Sequence, residues 1–426
     1  MSETIAVVGV GYVGLPLAVG LAAAGFPVIA YDHSAARVEG LKNNVDTTDS
    51  VTPAQLAAVS ATLHFTSDAA ALKPATVHII TVPTPVDAAH TPDLFLLAEA
   101  GKAVGACLKR GDLVILESTV YPGATEEFLL PRLAKASGLK PGVDFSYGYA
   151  PERINPGDPL RQLREVVKVI AGNTPETLER MRKLYAPICG EKNLYLAPSI
   201  AVAEAAKVME NTQRDLNIAL INELALIADR LSIDTRDILA TAGSKWNFLP
   251  FEPGLVGGHC IGVDPYYLTH RAAAAGYIPE VILAGRRVNN RMASFVADKT
   301  LQLLAKKGRS GAVSVNILGV TFKENVPDVR NSQVPLIKER LESFGATVRV
   351  YDPVAASADV KKGYGFELAA TLQPADAVIL AVSHHEYRTA GWAGLLPYLA
   401  PKGVMVDVKA ALPKGEAPND VHYWRL

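Results

Sequence analysis

TIAVVGVGYVGLPLAVGLAAAGFPVIAYD, residues 4–32, decides the fold. Thr4 to Val10 is a short β-branched run that passes directly into Gly9-Val10-Gly11-Tyr12-Val13-Gly14 and then into an apolar helix, LPLAVGLAAAG. Strand, glycines and helix in that order form a dinucleotide fingerprint. Gly9 permits the tight turn, Gly11 lets a pyrophosphate approach the helix N-terminus beside Tyr12 and Val13, and Gly14 lets the helix pack on the strand. The next strand, FPVIAYD, ends in Asp32, roughly 20 residues beyond the glycines. An acid there accepts a ribose 2′-hydroxyl and repels a 2′-phosphate, which favours NAD over NADP. Arg37, one helical turn further on, could weaken that discrimination.

Working outward, a polar interval separates this unit from strand-like ATVHIITV and the turn Pro83-Thr84-Pro85. A helix is expected around Leu94 to Leu108, then a buried strand, DLVILES, ending in Ser118-Thr119-Val120-Tyr121-Pro122-Gly123. Alternating strands and helices imply a parallel sheet, whose ligands gather at the carboxyl edge of the strands. That places Thr84, Glu117 and Thr119 where a nicotinamide and its substrate would meet. YGYAPERINPGDP follows, and its Glu152, Arg153 and Asn155 offer an acid, a base and an amide in a proline-bounded loop.

From about Ile200 the pattern changes to a helical segment with no internal Gly or Pro across more than thirty residues, well above the usual ~11–12. Its surface is largely apolar, which suits either a dimer seam or packing by two lobes of one subunit. Lys207 and Asn211 stand four apart and so share a face. Behind this helix lies FLPFEPGLVGGHCIGVDPYYL, residues 248–268, a glycine-rich loop with Cys260 between Gly257-Gly258 and Asp264. On the stretch alone, Cys260 reads equally as a nucleophile in a ligand cradle or as a small buried hydrophobe. A second long helix is expected from about Pro279 to Lys307. After Val313 come VNILGVTFKENVPDVRNS, a helix, and the strands ATVRVYDP, DAVILAV and GVMVDVK. They describe a second, smaller doubly wound domain without a GxGxxG, suited to a different nucleotide-like ligand.

The chain has 426 residues, 49% of them hydrophobic and 20% charged, which fits two or three globular domains. A net charge of −1 gives no global electrostatic case for nucleic acid or an anionic membrane. Three cysteines without a CxxC argue against a disulfide framework or a zinc ribbon and suit a reducing cytoplasm; no metal site is expected. No apolar run approaches the ~18 residues of a membrane span, and the N-terminus lacks the pattern of a signal peptide. A cytoplasmic protein is expected.

GVGYVGLPLA, VPTPVD, ESTVYPG, YAPERINPGD, KVMEN, GLVGGHCIGVDPYYL and GVTFKENVPDVRNS occur in that order over nearly the whole chain. Together they resemble the nucleotide-sugar 6-dehydrogenases, the UDP-glucose, UDP-N-acetylhexosamine and GDP-mannose dehydrogenase family. VPTPVD, APERINPGD and GGHCIGVDPYYLTHRA are most similar to the bacterial UDP-N-acetylglucosamine or UDP-N-acetylgalactosamine 6-dehydrogenases of surface-polysaccharide pathways. The resemblance implies an α/β protein with two Rossmann-like doubly wound domains joined by a long central helix and a helical middle domain. Its divisions would be residues 1–199 for NAD, 200–308 for the cysteine loop and dimer seam, and 309–426 for a UDP-sugar.

It also implies oxidation of a C6 alcohol to a carboxylate with two NAD⁺ and water, Cys260 trapping the aldehyde as a thiohemiacetal and then a thioester. Lys207 and Asn211 would stabilise the oxyanion at C6. Asp264 and Thr119 would handle the water, with Glu152 as partner of that water or of Lys207. Leu255, Gly257, Gly258, Arg153 and Asn155 would line the sugar and diphosphate. Lys323 and Arg330 match basic positions of the ligand cleft, and the partner would be a second copy of the chain. Three rivals stand beside this reading: a UDP-glucose 6-dehydrogenase, a one-step alcohol dehydrogenase, and a catalytically silent binder of NAD and nucleotide.

Overall fold

The computed structural model of the chain describes residues 3–426 apart from 49, 88, 155–163 and 310. Two compact units divide it, Met1–Glu210 with Tyr266–Tyr277, and Asn211–Pro265 with Ile278–Leu426.

The first unit is built on an eight-stranded sheet. Its strands are β1 (Ile5–Val8), β2 (Val28–Tyr31), β3 (Leu63–Thr66), β4 (Val77–Ile80), β5 (Leu113–Leu116), β6 (Ser146–Tyr149), β7 (Lys168–Gly172) and β8 (Leu194–Leu196). Their spatial order is β3-β2-β1-β4-β5-β6-β7-β8. The first six give the order of a doubly wound dinucleotide sheet, with its switch point between β1 and β4. β1, β4 and β5 are buried along their whole length, as a sheet covered on both faces requires. Each buried Val, Leu or Ile contributes about 1.5–3 kcal/mol. β7 pairs antiparallel to β6 and extends the sheet with β8. Where the sequence shows only a polar interval after Asp32, the structure has the helices Ala35–Lys42 and Pro53–Ala58, capped by Ser34 and Thr52, and then β3.

Register makes the functional edge. Val8 is level with Ile80, Ile80 with Leu116, and Leu116 with Tyr149, all in parallel pairs. The loops after β1, β4, β5 and β6 therefore leave the sheet side by side.

The second unit holds a five-stranded sheet of β9 (Ser314–Leu318), β10 (Thr347–Tyr351), β11 (Ala375–Leu380), β12 (Leu399–Asp407) and β13 (His422–Arg425). Its order is β10-β9-β11-β12-β13, with every pair parallel. The switch point falls between β9 and β11. The protein is thus α/β with a parallel-strand sheet in each unit and a helical middle, as the sequence predicts.

The middle contributes the spine helix Ile200–Leu231 and the helices Thr235–Ala242, Asp264–Ala274 and Glu280–Lys306. The spine helix buries polar side chains among apolar ones such as Ala203, Val208, Ile221 and Ala225. Glu204, Lys207, Asp215 and Asn222 fall on one buried stripe, while Val202, Met209, Leu220, Ile227 and Leu231 form an exposed apolar stripe opposite.

Candidate active site

At the first unit's sheet edge, the glycine loop is shaped by close approach. A Cβ on Gly14 would sit 1.9 Å from the Gly9 carbonyl oxygen and 2.4 Å from Thr81 Oγ1, so only glycine lets the helix start against the strand ends. A Cβ on Gly11 would meet nothing within 4 Å, which leaves its backbone open to a ligand. Asp32 ends β2 and braces the loop, accepting the Val10 amide at 3.0 Å and the Ser34 amide at 2.9 Å. Arg37 is turned beneath the loop. Its guanidinium donates to the Val10 carbonyl at 3.0–3.1 Å and pairs with Asp46 at 2.7 Å. Burial pushes the Asp46 carboxyl up, but Thr48, Arg37 and Ser50 outweigh it and bring it down to about 2. The open Gly11 backbone with a carboxylate at the end of β2 fits a dinucleotide, with Tyr12 and Val13 between the glycines at the helix start.

The loops after β4 and β5 are stitched together. Thr84 donates its hydroxyl to the Thr119 carbonyl at 2.6 Å, and Ser118 donates to Val82 at 2.6 Å. The Tyr267 hydroxyl donates to the Thr84 carbonyl. From the spine helix, buried Glu204 accepts the amides of Gly123 at 2.5 Å and Thr125 at 2.9 Å, and the Thr125 hydroxyl at 2.6 Å. Burial pushes its carboxyl up, against the pull of these donors.

The loop after β6 brings Glu152 onto a buried cluster. Its Oε1 accepts the amides of Arg153 at 2.6 Å and Ile154 at 2.7 Å, and its Oε2 lies 3.3 Å from Lys168 Nζ. Lys168 also pairs with Glu117 at 2.8 Å, and Glu117 accepts the Tyr185 hydroxyl at 2.5 Å. Arg153 pairs with Glu210 at 2.7 Å and donates to the Val167 carbonyl at 2.8 Å. Asn155 lies outside the described residues. Lys207 is buried on the spine helix, three residues after Glu204.

The second unit holds the cysteine loop. Asn222 of the spine helix grips its entry, donating to the Gly254 carbonyl at 3.0 Å and accepting the Gly254 amide at 2.8 Å. Asn289 and Arg286 tie the same helix at Asp215, at 2.7 and 2.6 Å. Gly258 has φ +80°, and a Cβ there would press to 2.7 Å from the Phe322 ring. Gly257 is similarly close to Asn331, which donates to the Gly258 carbonyl at 3.1 Å. Cys107 and Cys189 are buried, whereas Cys260 is exposed. The Cys260 carbonyl accepts the Val263 amide at 3.2 Å and the Asp264 amide at 2.8 Å, a turn that leads into the helix Asp264–Ala274. Asp264 accepts Asn211 Nδ2 at 2.6 Å, although the two are 53 apart in sequence.

His259 points to Asp328 at 3.1 Å, and Arg330 pairs with the same carboxylate at 2.7 Å. Thr321 donates to the Lys323 carbonyl at 2.9 Å. Beside this loop, Leu255, Gly257, Phe322, Gln333 and Lys409 line a cavity at the carboxyl edge of the second sheet.

Among the sequence-predicted residues, the geometry joins Thr84 to Thr119 and Asn211 to Asp264. It gives Glu152 a partner that sequence reasoning missed, Lys168. Glu204, Tyr185 and Asn222 were missed as well, since their partners are backbone groups or side chains far away in sequence.

Three successive stretches match one family. Residues 3–189 match the NAD binding domain of the UDP-glucose/GDP-mannose dehydrogenases, residues 201–291 the central domain, and residues 316–414 the UDP binding domain. The chain belongs to the UDP-glucose/GDP-mannose dehydrogenase family. It is 47% identical to Protein CapL of Staphylococcus aureus over 100% of both chains. It is 46% identical to the UDP-N-acetyl-D-glucosamine 6-dehydrogenase of Salmonella typhi over 96% of both. The solved UDP-D-ManNAc dehydrogenase of Pyrococcus horikoshii superposes with a TM-score of 0.88 at 32% identity, over 99% of this chain and 98% of that one.

This member of the UDP-glucose/GDP-mannose dehydrogenase family is a nucleotide-sugar 6-dehydrogenase that uses NAD and carries a UDP-binding domain. Among the described residues, no helix is long and apolar enough to cross a membrane.

Proposed function

We propose that the chain oxidises the C6 hydroxyl of a UDP-N-acetylhexosamine, UDP-N-acetylglucosamine or UDP-N-acetylgalactosamine, to the uronic acid, in the cytoplasm and for surface polysaccharide. The observation that carries this reading is the 46% identity with a UDP-N-acetyl-D-glucosamine 6-dehydrogenase over 96% of both chains.

The exposed thiol of Cys260 supports a covalent route. It adds to the C6 aldehyde of the first oxidation to give a thiohemiacetal, whose oxidation gives a thioester that water cleaves to the acid and the free thiol. NAD, when bound, accepts one hydride in each oxidation. Gly11, Tyr12, Val13 and Asp32 hold it, with Thr84, Thr119 and Arg330 as further contacts and Arg37 as a brace of the loop. Lys207 and Asn211 stabilise the oxyanion at C6 through a positive charge and an amide donor. The 2.6 Å bond from Asn211 to Asp264 supports joint action of these two. Asp264, Thr119 and Glu152 handle the hydrolytic water, with Glu152 accepting its proton. Leu255, Gly257, Gly258, Lys323, Arg153 and Asn155 bind the nucleotide sugar.

Residues 1–199 form the NAD domain, 200–308 the middle domain and 309–426 the UDP-sugar domain. The exposed apolar stripe of the spine helix is the seam of a homodimer.

The test is the number of NADH formed per UDP-N-acetylglucosamine, UDP-N-acetylgalactosamine or UDP-glucose consumed, with the product's charge. Two NADH per acetamido sugar and an acidic product are expected. One NADH with a free aldehyde refutes the covalent route. Turnover of UDP-glucose alone refutes the acetamido substrate.

A further inference from the structure

Lys168 opens β7 with its side chain 3% exposed, between two carboxylates. It lies 2.8 Å from Glu117 and 3.3 Å from Glu152. We propose that Lys168 is a positioning residue for the dehydrogenase reaction: anchored by Glu117, its ammonium holds the Glu152 carboxylate in the orientation from which it takes the proton of the hydrolytic water. This rests on the role of Glu152 given above.

Two acids share one buried cation, so they compete for it. Glu117 has Lys168 and the Tyr185 hydroxyl, and its side chain is fully buried. Burial dominates there and pushes its carboxyl up. Glu152 has Lys168 on one oxygen and two backbone amides on the other. Burial pushes its carboxyl up too, but Lys168 and the amides overcome it, and the group ends below its ordinary value. Each acid thus has donors of its own beside the shared cation, the Tyr185 hydroxyl for Glu117 and two backbone amides for Glu152.

Among the described residues, the other groups facing the cluster bring no second cation. Burial and Glu117 push Tyr185 well up, and burial pushes Cys189 up to about 11 despite Lys168, so both stay neutral near pH 7. The Arg153 guanidinium is taken by Glu210 and the Val167 carbonyl. Among the described residues, Lys168 is therefore the charge that lets the partly buried Glu152 serve as a base at neutral pH. Glu117 orients Lys168, and Lys168 orients Glu152.

The experiment follows kcat for acid formation against pH in Lys168→Met, Lys168→Arg, Glu117→Gln and Glu152→Gln, with NADH affinity as a check on the fold. In K168M the acid limb should move up by about 1–3 units, the effect of losing an adjacent opposite charge. Turnover at pH 6 should then fall more than at pH 9, by up to about thirtyfold at the upper end of that range. K168R should return the limb to its wild-type place, and E117Q should leave it there or lower it. A uniform loss across pH in K168M, no rescue by Arg, or an upward shift in E117Q overturns the proposal. If K168M does not fold, K168R and E117Q decide by the same criteria. E152Q keeps the two failures apart: wild-type turnover in that variant removes Glu152 from the reaction itself, whereas a loss in E152Q with an unmoved limb in K168M refutes Lys168 alone.

Discussion

Replacing Glu204 tests whether the spine helix sets the loop after β5. In Glu204→Ala, the buried amides of Gly123 and Thr125 lose their acceptor, and the Thr125 hydroxyl loses its 2.6 Å bond to the same carboxylate. An orphaned buried donor costs about 1–3 kcal/mol, so the two amides together cost about 2–6 kcal/mol, less the relief of no longer burying a carboxyl. Glu204→Gln is a finer probe. Its amide oxygen can serve Thr125, but its NH₂ group then meets the Gly123 N–H, donor against donor, so one orphan remains and about 1–3 kcal/mol is lost. The assay is urea unfolding followed by circular dichroism, with amide hydrogen exchange read at Gly123 and Thr125. Exchange tests the loop directly, because a chain of two units need not unfold in one step. The expected order of stability is wild type, Gln, Ala, with faster exchange at both amides in the Ala variant. Protection of those amides at the wild-type level in Glu204→Ala would refute the pinning.

Asp46 should make stability fall in acid. Its folded value of about 2 lies below the ordinary 3.8, so its contribution is present above pH 3.8 and disappears as pH drops toward 2. The shift amounts to about 2 kcal/mol, and Asp46→Asn should flatten that part of the stability-against-pH curve; an unchanged curve counts against the Arg37–Asp46 brace. Cys260→Ser should cut acid formation from the nucleotide sugar by more than about a hundredfold while leaving NAD affinity intact. Acid made at the wild-type rate would remove Cys260 from the chemistry.

Local spacing made half of this molecule legible in advance. The strand, glycines and helix of residues 4–32 contact one another over short separations, so composition and order alone describe them. The helix Glu280–Lys306 and the spine helix appear where uninterrupted helical sequence places them. Other features depend on contacts that no local pattern encodes. Asn211 meets Asp264 only because a helix and a turn converge, and Lys168 sits in REVVKVIAG, where a lysine in a β-branched run reads as an exposed residue at a strand end. Glu204 is opaque for another reason: its partners are backbone amides, which have no sequence identity. β7 and β8 escaped because the parallel alternation that reveals the earlier strands breaks at the antiparallel pair β6–β7.

The two faces of the spine helix mean that a single stretch of 32 residues carries two messages on the same 3.6-residue carrier, half a turn out of phase. A saturation scan along it should separate them. Substitutions at Glu204, Lys207, Asp215 and Asn222 should register in one periodic signal, and those at Val202, Met209, Leu220, Ile227 and Leu231 in another, each falling silent where the other peaks. The buried track also holds Ala203, Val208, Ile221 and Ala225, so apolarity alone does not tell the two tracks apart.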